Sequence, residues 1–187
     1  MNVIAIADLS QFLNDLLGET GDEEQARLVI ETVQGGMEAY LGRPVTIRQF
    51  TDQLRVTDAD RLTFKNTPVV SVASIDIDGM ALTAEQYILR KYGVDWPVAV
   101  FRPVGNLTGN PPIVTVSYTA GIDGPNEAGI RLVMLTASAR LFRRLKDGIL
   151  SVSSLSTDGG YSATIMTDLL SIDERGTIAR YRRWRAG

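Results

Sequence analysis

The stretch Ile113–Val114–Thr115–Val116–Ser117–Tyr118–Thr119–Ala120–Gly121, followed by Ile122–Asp123–Gly124–Pro125, decides how this chain is read. Its first half alternates Val114, Val116 and Tyr118 against Thr115, Ser117 and Thr119, the period of a strand with one buried face. Its second half ends the strand at a glycine and sets proline where a helix starts. Beyond it Ile130, Val133, Met134, Ala137, Leu141 and Leu145 recur at three and four, so the chain turns helical as far as Asp147–Gly148. Arg131, Arg140, Arg143 and Arg144 fall largely on its other faces.

Working back from that junction, residues 45–119 read as strands. Val45–Val56, Leu62–Phe64, Val69–Asp78, Met80–Leu82, Gln86–Tyr92 and Val98–Arg102 are rich in β-formers, with Asp78–Gly79 as a tight turn. In Val69–Asp78 the alternation puts Ser71, Ala73, Ile75 and Ile77 on one face. No helix separates these segments, which argues an antiparallel sheet or small sandwich rather than a parallel α/β core. Before them, Ala7–Leu17 reads as a short helix with Leu9, Phe12, Leu13, Leu16 and Leu17 as its stripe and Asp8 or Ser10 as cap. A longer helix starts at Gly21–Asp22–Glu23–Glu24, whose acids suit the positive end of its dipole. It carries Ala26, Val29, Ile30, Val33, Met37, Tyr40 and Leu41 on one face and ends at Gly42, with Pro44 following. Gly35–Gly36 inside it points to close packing or a kink.

Toward the end of the chain, Ile149–Thr164 is rich in Ser, Thr and Gly and reads as a loose hairpin or long loop with Asp158–Gly159–Gly160 at its tip. Ser171–Ile172–Asp173–Glu174 matches a capping box, so a last helix should run to about Trp184. These elements predict an α+β fold: a helical bundle of two long helices plus shorter terminal helices, with an inserted antiparallel β region. Residues 1–44 and 120–187 form the helical core with a C-terminal docking helix, and 45–119 the insertion.

Composition removes most chemistry. The chain has 187 residues, 44% hydrophobic and 22% charged, with a net charge of −3, no cysteine and no histidine. That excludes a disulfide framework, a thiol nucleophile, the familiar zinc sites and the usual triads. No lysine follows a glycine, so there is no phosphate-binding P-loop, and no glycine-rich turn matches a dinucleotide fingerprint. Asp76–Ile77–Asp78–Gly79 lacks the later ligands of a calcium loop and reads as a hairpin turn. Asp58 and Asp60 are the one carboxylate pair to weigh for acid–base work, against turn acids linking two strands. The expectation is no catalytic residue, no cofactor and no metal. The segment Met1–Val3–Ile4–Ala5–Ile6 lacks a basic residue and is too short for a signal peptide. No apolar run approaches the roughly 20 residues that span a bilayer, so synthesis in the host cytoplasm and no membrane partner are expected.

Basic residues are mostly arginine, with lysine only at Lys65, Lys91 and Lys146. A GC-rich genome explains this, and so does interface work by the planar guanidinium. Arg180–Tyr181–Arg182–Arg183–Trp184–Arg185 makes a basic aromatic tip. It has three readings: a solvated helix end, a nucleic-acid contact, or a docking surface on a partner protein.

In order and spacing, three phrases resemble the head-tail connector (adaptor) proteins of long-tailed phages and gene transfer agents. They are Glu38–Ala39–Tyr40–Leu41–Gly42–Arg43–Pro44, then Asn66–Thr67–Pro68–Val69–Val70–Ser71–Val72 with its turn at Asp78–Gly79, then Val114–Gly121 with Pro125. The resemblance covers about Asp22 to Leu145. It implies a structural virion protein that forms a ring, usually a dodecamer, beneath the portal. Such a ring extends the channel for DNA, which passes without sequence readout, and gives the next neck or stopper protein a platform. It further implies portal contacts at Ile178, Tyr181, Arg182, Trp184 and Arg185, and a channel-facing or next-protein loop at Ser151, Ser154, Asp158 and Tyr161. A head-to-tail ring needs two complementary faces on each subunit; Asp22, Glu23 and Glu24 are expected to meet Arg140, Arg143 and Arg144 of the neighbour. The alternatives are another neck or tail-completion protein, or a small carboxylate-based hydrolase.

Overall fold

A computed structural model describes residues 2–13, 22–55, 61–77, 79–83, 85–92, 96–101, 113–147 and 169–182. The chain divides into two compact units, Met1–Thr46 with Asp123–Gly187, and Ile47–Ile122.

In the first unit the described helices are α1 (Ile6–Phe12), α2 (Asp22–Leu41), α3 (Ala128–Lys146) and α4 (Ile172–Ile178). Helix α2 packs on α3. Ala26, Val29, Ile30, Val33, Met37 and Leu41 on α2, and Ile130, Val133, Met134, Ala137, Leu141 and Phe142 on α3, are buried. Removing such side chains from water contributes roughly 1.5–3 kcal/mol for each large one. Asp8 caps α1 by accepting from the Ala5 backbone N–H at 2.8 Å, so it works from inside the first turn rather than ahead of it. Helix α2 ends at Gly42, whose φ of 68° lies in the left-handed region that favours glycine. Gly124 makes a close approach: its N–H donates to Val45 O at 3.1 Å, and a Cβ there would lie 2.2 Å from that oxygen. Pro125 therefore sits in a 3₁₀ turn, Gly124–Asn126, and α3 begins three residues later at Ala128. The glycine pair in α2 splits: Gly36 is buried, while Gly35 is exposed with open space around it.

The second unit is built from β1 (Arg48–Arg55), β2 (Arg61–Thr63), β3 (Val69–Ile77), β4 (Met80–Ala81), β5 (Tyr87–Tyr92), β6 (Trp96–Phe101) and β7 (Ile113–Ala120). Strands β1–β7–β3–β4 form one antiparallel sheet and β2–β6–β5 another. Strand β7 is central, and Val114, Val116, Tyr118 and Ala120 bury as its alternation predicts. Their cluster includes Leu54, Leu62, Phe64 and Ile75. Strand β3 breaks the simple alternation. Register shifts at Val70 and Ala73 insert one residue each, so Ser71 pairs with Thr119 on the outer face while Ile75 pairs with buried Val116. Ser71 and Ile75 thus lie on opposite faces, contrary to the expected single stripe. Gly79, at φ 84°, turns β3 into β4 as a hairpin.

The expected bundle of two long helices is overturned. The described residues hold four helices and a four-stranded antiparallel sheet, with a second, three-stranded sheet that includes β2. The reason is geometric. Helix α2 has 20 residues, but α1 and α4 have 7 each and span only about 10 Å at 1.5 Å per residue, too short to complete a bundle around α2 and α3. Meanwhile 47–122 is no appendage: its first and last strands pair side by side over a core of their own.

Candidate interaction site

The most organised polar cluster of the helical unit holds the C-terminal segment on α3. Ser171 caps α4: its Oγ accepts from the Glu174 N–H at 3.2 Å, and the Glu174 carboxylate accepts from the Ser171 N–H at 2.7 Å, the reciprocal pair predicted by the sequence. That carboxylate also accepts from both terminal nitrogens of Arg140, at 2.9 and 2.8 Å, and from Thr136 Oγ1 at 2.8 Å. Arg140 donates as well to the Leu169 carbonyl. Burial pushes the Glu174 carboxyl up, but Arg140, the Ser171 amide and Thr136 outweigh it and hold the group below the usual carboxylate range.

Ile178 is fully buried. One turn on, Tyr181 donates to the Glu127 carboxylate and receives a hydrogen bond from Arg180; burial and the Glu127 partner raise its pKa. Gly129 lies beneath this arrangement: a Cβ there would make ordinary contacts with Arg180, Thr177 and Tyr181 at 3.6–3.9 Å. Arg182 lies with its guanidinium 5.4 Å from the centre of the Tyr40 ring. The expected helix to Trp184 is shorter: α4 gives way to a 3₁₀ turn, Ala179–Tyr181.

Of the residues expected to touch a portal, Ile178 is buried, Tyr181 is half-buried with its hydroxyl on Glu127, Arg182 is exposed over Tyr40, and Trp184 and Arg185 lie outside the described residues. Ser151, Ser154, Asp158 and Tyr161 lie outside them too, as do Asp58 and Asp60. Of the expected inter-subunit charges, Asp22 is buried and pairs with Lys146 at 2.6 Å, and Arg140 is committed to Glu174. The Asp22–Lys146 pair joins the start of α2 to the end of α3, so exposed Glu23, Glu24, Arg143 and Arg144 share one end of the helical unit. Sequence reasoning missed Glu127, Thr136 and the partnership of Glu174 with Arg140; the capping box marked Glu174 only as a cap.

In the sheet unit, Tyr118 anchors a second network. Its hydroxyl donates to Asp52 Oδ2 at 2.6 Å and accepts from the backbone N–H and Nδ2 of Asn66 at 3.1 and 3.2 Å. Its ring lies between Phe50 and Phe64 at centroid distances of 5.7 and 5.0 Å. Burial, then the Asp52 hydrogen bond, push its pKa up to about 12. Among the described residues no cluster of three acidic side chains collects that could hold a metal ion, and no helix is long and apolar enough to cross a membrane.

No family of known proteins matches this sequence, and no curated protein sequence does. The fold nevertheless has solved counterparts among the chains of gene transfer agent particles. The neck of the empty particle, computed with C6 symmetry, contains a chain with TM-score 0.62 and 16% identity, over 99% of this chain and 92% of that one. The virion of the native gene transfer agent particle contains one with TM-score 0.62 and 13% identity, over 99% and 92%. The neck of the native particle, computed with C12 symmetry, contains one with TM-score 0.59 and 15% identity, over 100% and 96%. At these identities the likeness is one of fold.

Proposed function

We propose that this chain is a structural subunit of a virion neck, a head-tail connector that joins copies of itself into a ring beneath the portal, probed by DNA passage rather than by catalysis. The observation that carries this reading is the whole-chain likeness to chains found in symmetric particle necks. It is supported by a composition without histidine or cysteine. On this reading the ring, a dodecamer, extends the DNA channel and offers the next neck protein a platform.

The C-terminal tip is the proposed portal contact. Ile178 and Tyr181 seat the segment on α3, and Arg182, Trp184 and Arg185 meet the portal. Residues 151–164, with Ser151, Ser154, Asp158 and Tyr161, are the proposed channel-facing or next-protein segment. Glu23, Glu24, Arg143 and Arg144, exposed and without ion pairs among the described residues, are the charges proposed to act between subunits. Deleting residues 171–187 and assaying binding to isolated portal rings tests the portal contact: binding should be lost. Undiminished binding would sink it.

A further inference from the structure

The four-stranded sheet ends in two unlike edges. At one, β1 runs for 8 residues, Arg48–Arg55, and pairs with β7 in one unbroken register, without bulge or proline. No described strand pairs with its other side. An edge strand offers unpaired N–H and C=O groups there, and proteins blunt such edges with charge, proline or bulges. Here the outward positions Gln49, Thr51 and Gln53 are exposed and uncharged. The inward acid, Asp52, is already held by Tyr118 and Lys65. At the far edge, β4 covers only Asp76 and Ile77 of β3, extended by the Leu82 N–H, which donates to the Ile75 carbonyl at 2.8 Å. Residues 69–74 thus have no described strand on that flank. The two bulges leave Val70 and Ala73 without a partner on β7, and both are exposed, as are Met80 and Ala81.

We propose that copies of the chain join through these two edges, β1 of one copy lying along the β3–β4 edge of the next. Charge selects that occupant over a second β1. Strand β1 carries arginine at both ends, Arg48 and Arg55, and Lys65 stands beside its one acid. Residues 69–87 carry Asp76, Asp78 and Glu85 and no basic residue. An antiparallel pair of β1 strands would bring Arg48 of each near Arg55 of the other, and like charges on neighbouring strands are destabilising. Strand β1 against the β3–β4 edge sets cations against acids instead. Apolar surface waits at both edges: Ile47, leading into β1, is 40% exposed, and Val70 and Met80 are 57% and 74% exposed. The two edges differ, so the contact is heterologous and repeats around a ring. Each subunit then hides an open edge of its neighbour, which removes the hazard of unpaired strands. This rests on the proposed ring and goes beyond it by naming both sides of the contact.

The chain has no cysteine, which makes the test direct. Full-length Thr51→Cys and Ala81→Cys proteins, substituted at exposed positions, are mixed, at high concentration and assembled on particle necks, and treated with a short bis-maleimide. A cross-linked dimer is expected from the mixture and from neither protein alone. One chain carrying both substitutions should give a ladder of products that ends at the subunit number of the ring. Gln49→Cys and Gln53→Cys in place of Thr51→Cys cover a register shifted by one pair in either direction. Adding Glu85→Lys to the Ala81→Cys chain should cut the yield about tenfold, and Arg48→Glu in the Thr51→Cys chain should restore it. Assembled rings that give no cross-link from any of the three β1 positions overturn these edges and leave the ring intact. A cross-link from the Thr51→Cys protein alone pairs β1 with β1 and overturns the proposal. A chain that never self-associates and never joins necks overturns both the edges and the ring.

Discussion

Replacing Glu174 by Gln keeps the shape of the side chain and removes its charge. The carboxylate is 10% exposed and its Arg140 partner 33% exposed. Breaking a buried ion pair by neutralising one member costs about 3–5 kcal/mol when both groups are dry. Arg140 keeps some water contact and the amide oxygen still accepts one hydrogen bond, so about 2 kcal/mol is expected. The loss falls on α4, because Arg140, Thr136 and Ser171 all converge on this one side chain. Hydrogen exchange of the amides of residues 174–178 should speed about thirtyfold for 2 kcal/mol, while amides of β7 stay unchanged. Acid should reproduce the effect. The folded carboxyl lies below its ordinary value of 4.5, so its contribution is fully present above that pH and is lost as pH falls through the folded value. Glu174→Gln should show no such acid-dependent step in α4. A double-mutant cycle with Arg140→Met should return a coupling above about 1 kcal/mol. Unchanged exchange in α4, or a coupling near zero, refutes the view that this pair fastens the C-terminal segment.

Tyr118→Phe should destabilise the sheet unit by about 1–2 kcal/mol in thermal unfolding, because it leaves the Asn66 N–H without its acceptor and Asp52 with only Lys65, at 3.7 Å. With its folded pKa raised from 10.0 to about 12, Tyr118 supports the fold fully below pH 10 and loses that support as pH rises through 12; Phe at this position should flatten that part of the alkaline stability profile. Gly35→Ala should raise the subunit's melting temperature, by up to about 1 kcal/mol of stability, since the added methyl meets open space. Gly124→Ala should lower it by about 1–3 kcal/mol, since its Cβ collides with the Val45 carbonyl and the backbone must shift.

Elements with a strong local period were legible in the sequence. The apolar stripes of α2 and α3, the alternation of β7 and the Ser171–Glu174 cap are properties of neighbours three, four or two residues apart, and the structure carries them. What needed tertiary context was not legible. The bulges at Val70 and Ala73 arise where β3 fits β7, which no reading of β3 alone contains. Helix length carries no trace of β1 and β7, which lie far apart in sequence and close a sheet with its own core. Asp22 and Arg140 read as surface charges because Lys146 and Glu174 lie 124 and 34 residues away. Glu127 gave no signal, since the tyrosine that needs it is 54 residues on.

Imaging of intact particle necks containing this chain tests the central claim most directly. The account predicts a closed ring of identical copies directly beneath the portal, each subunit following the fold described above around a continuous channel. A neck whose ring is built from another chain, or density for this chain only in the capsid or the tail, would contradict it.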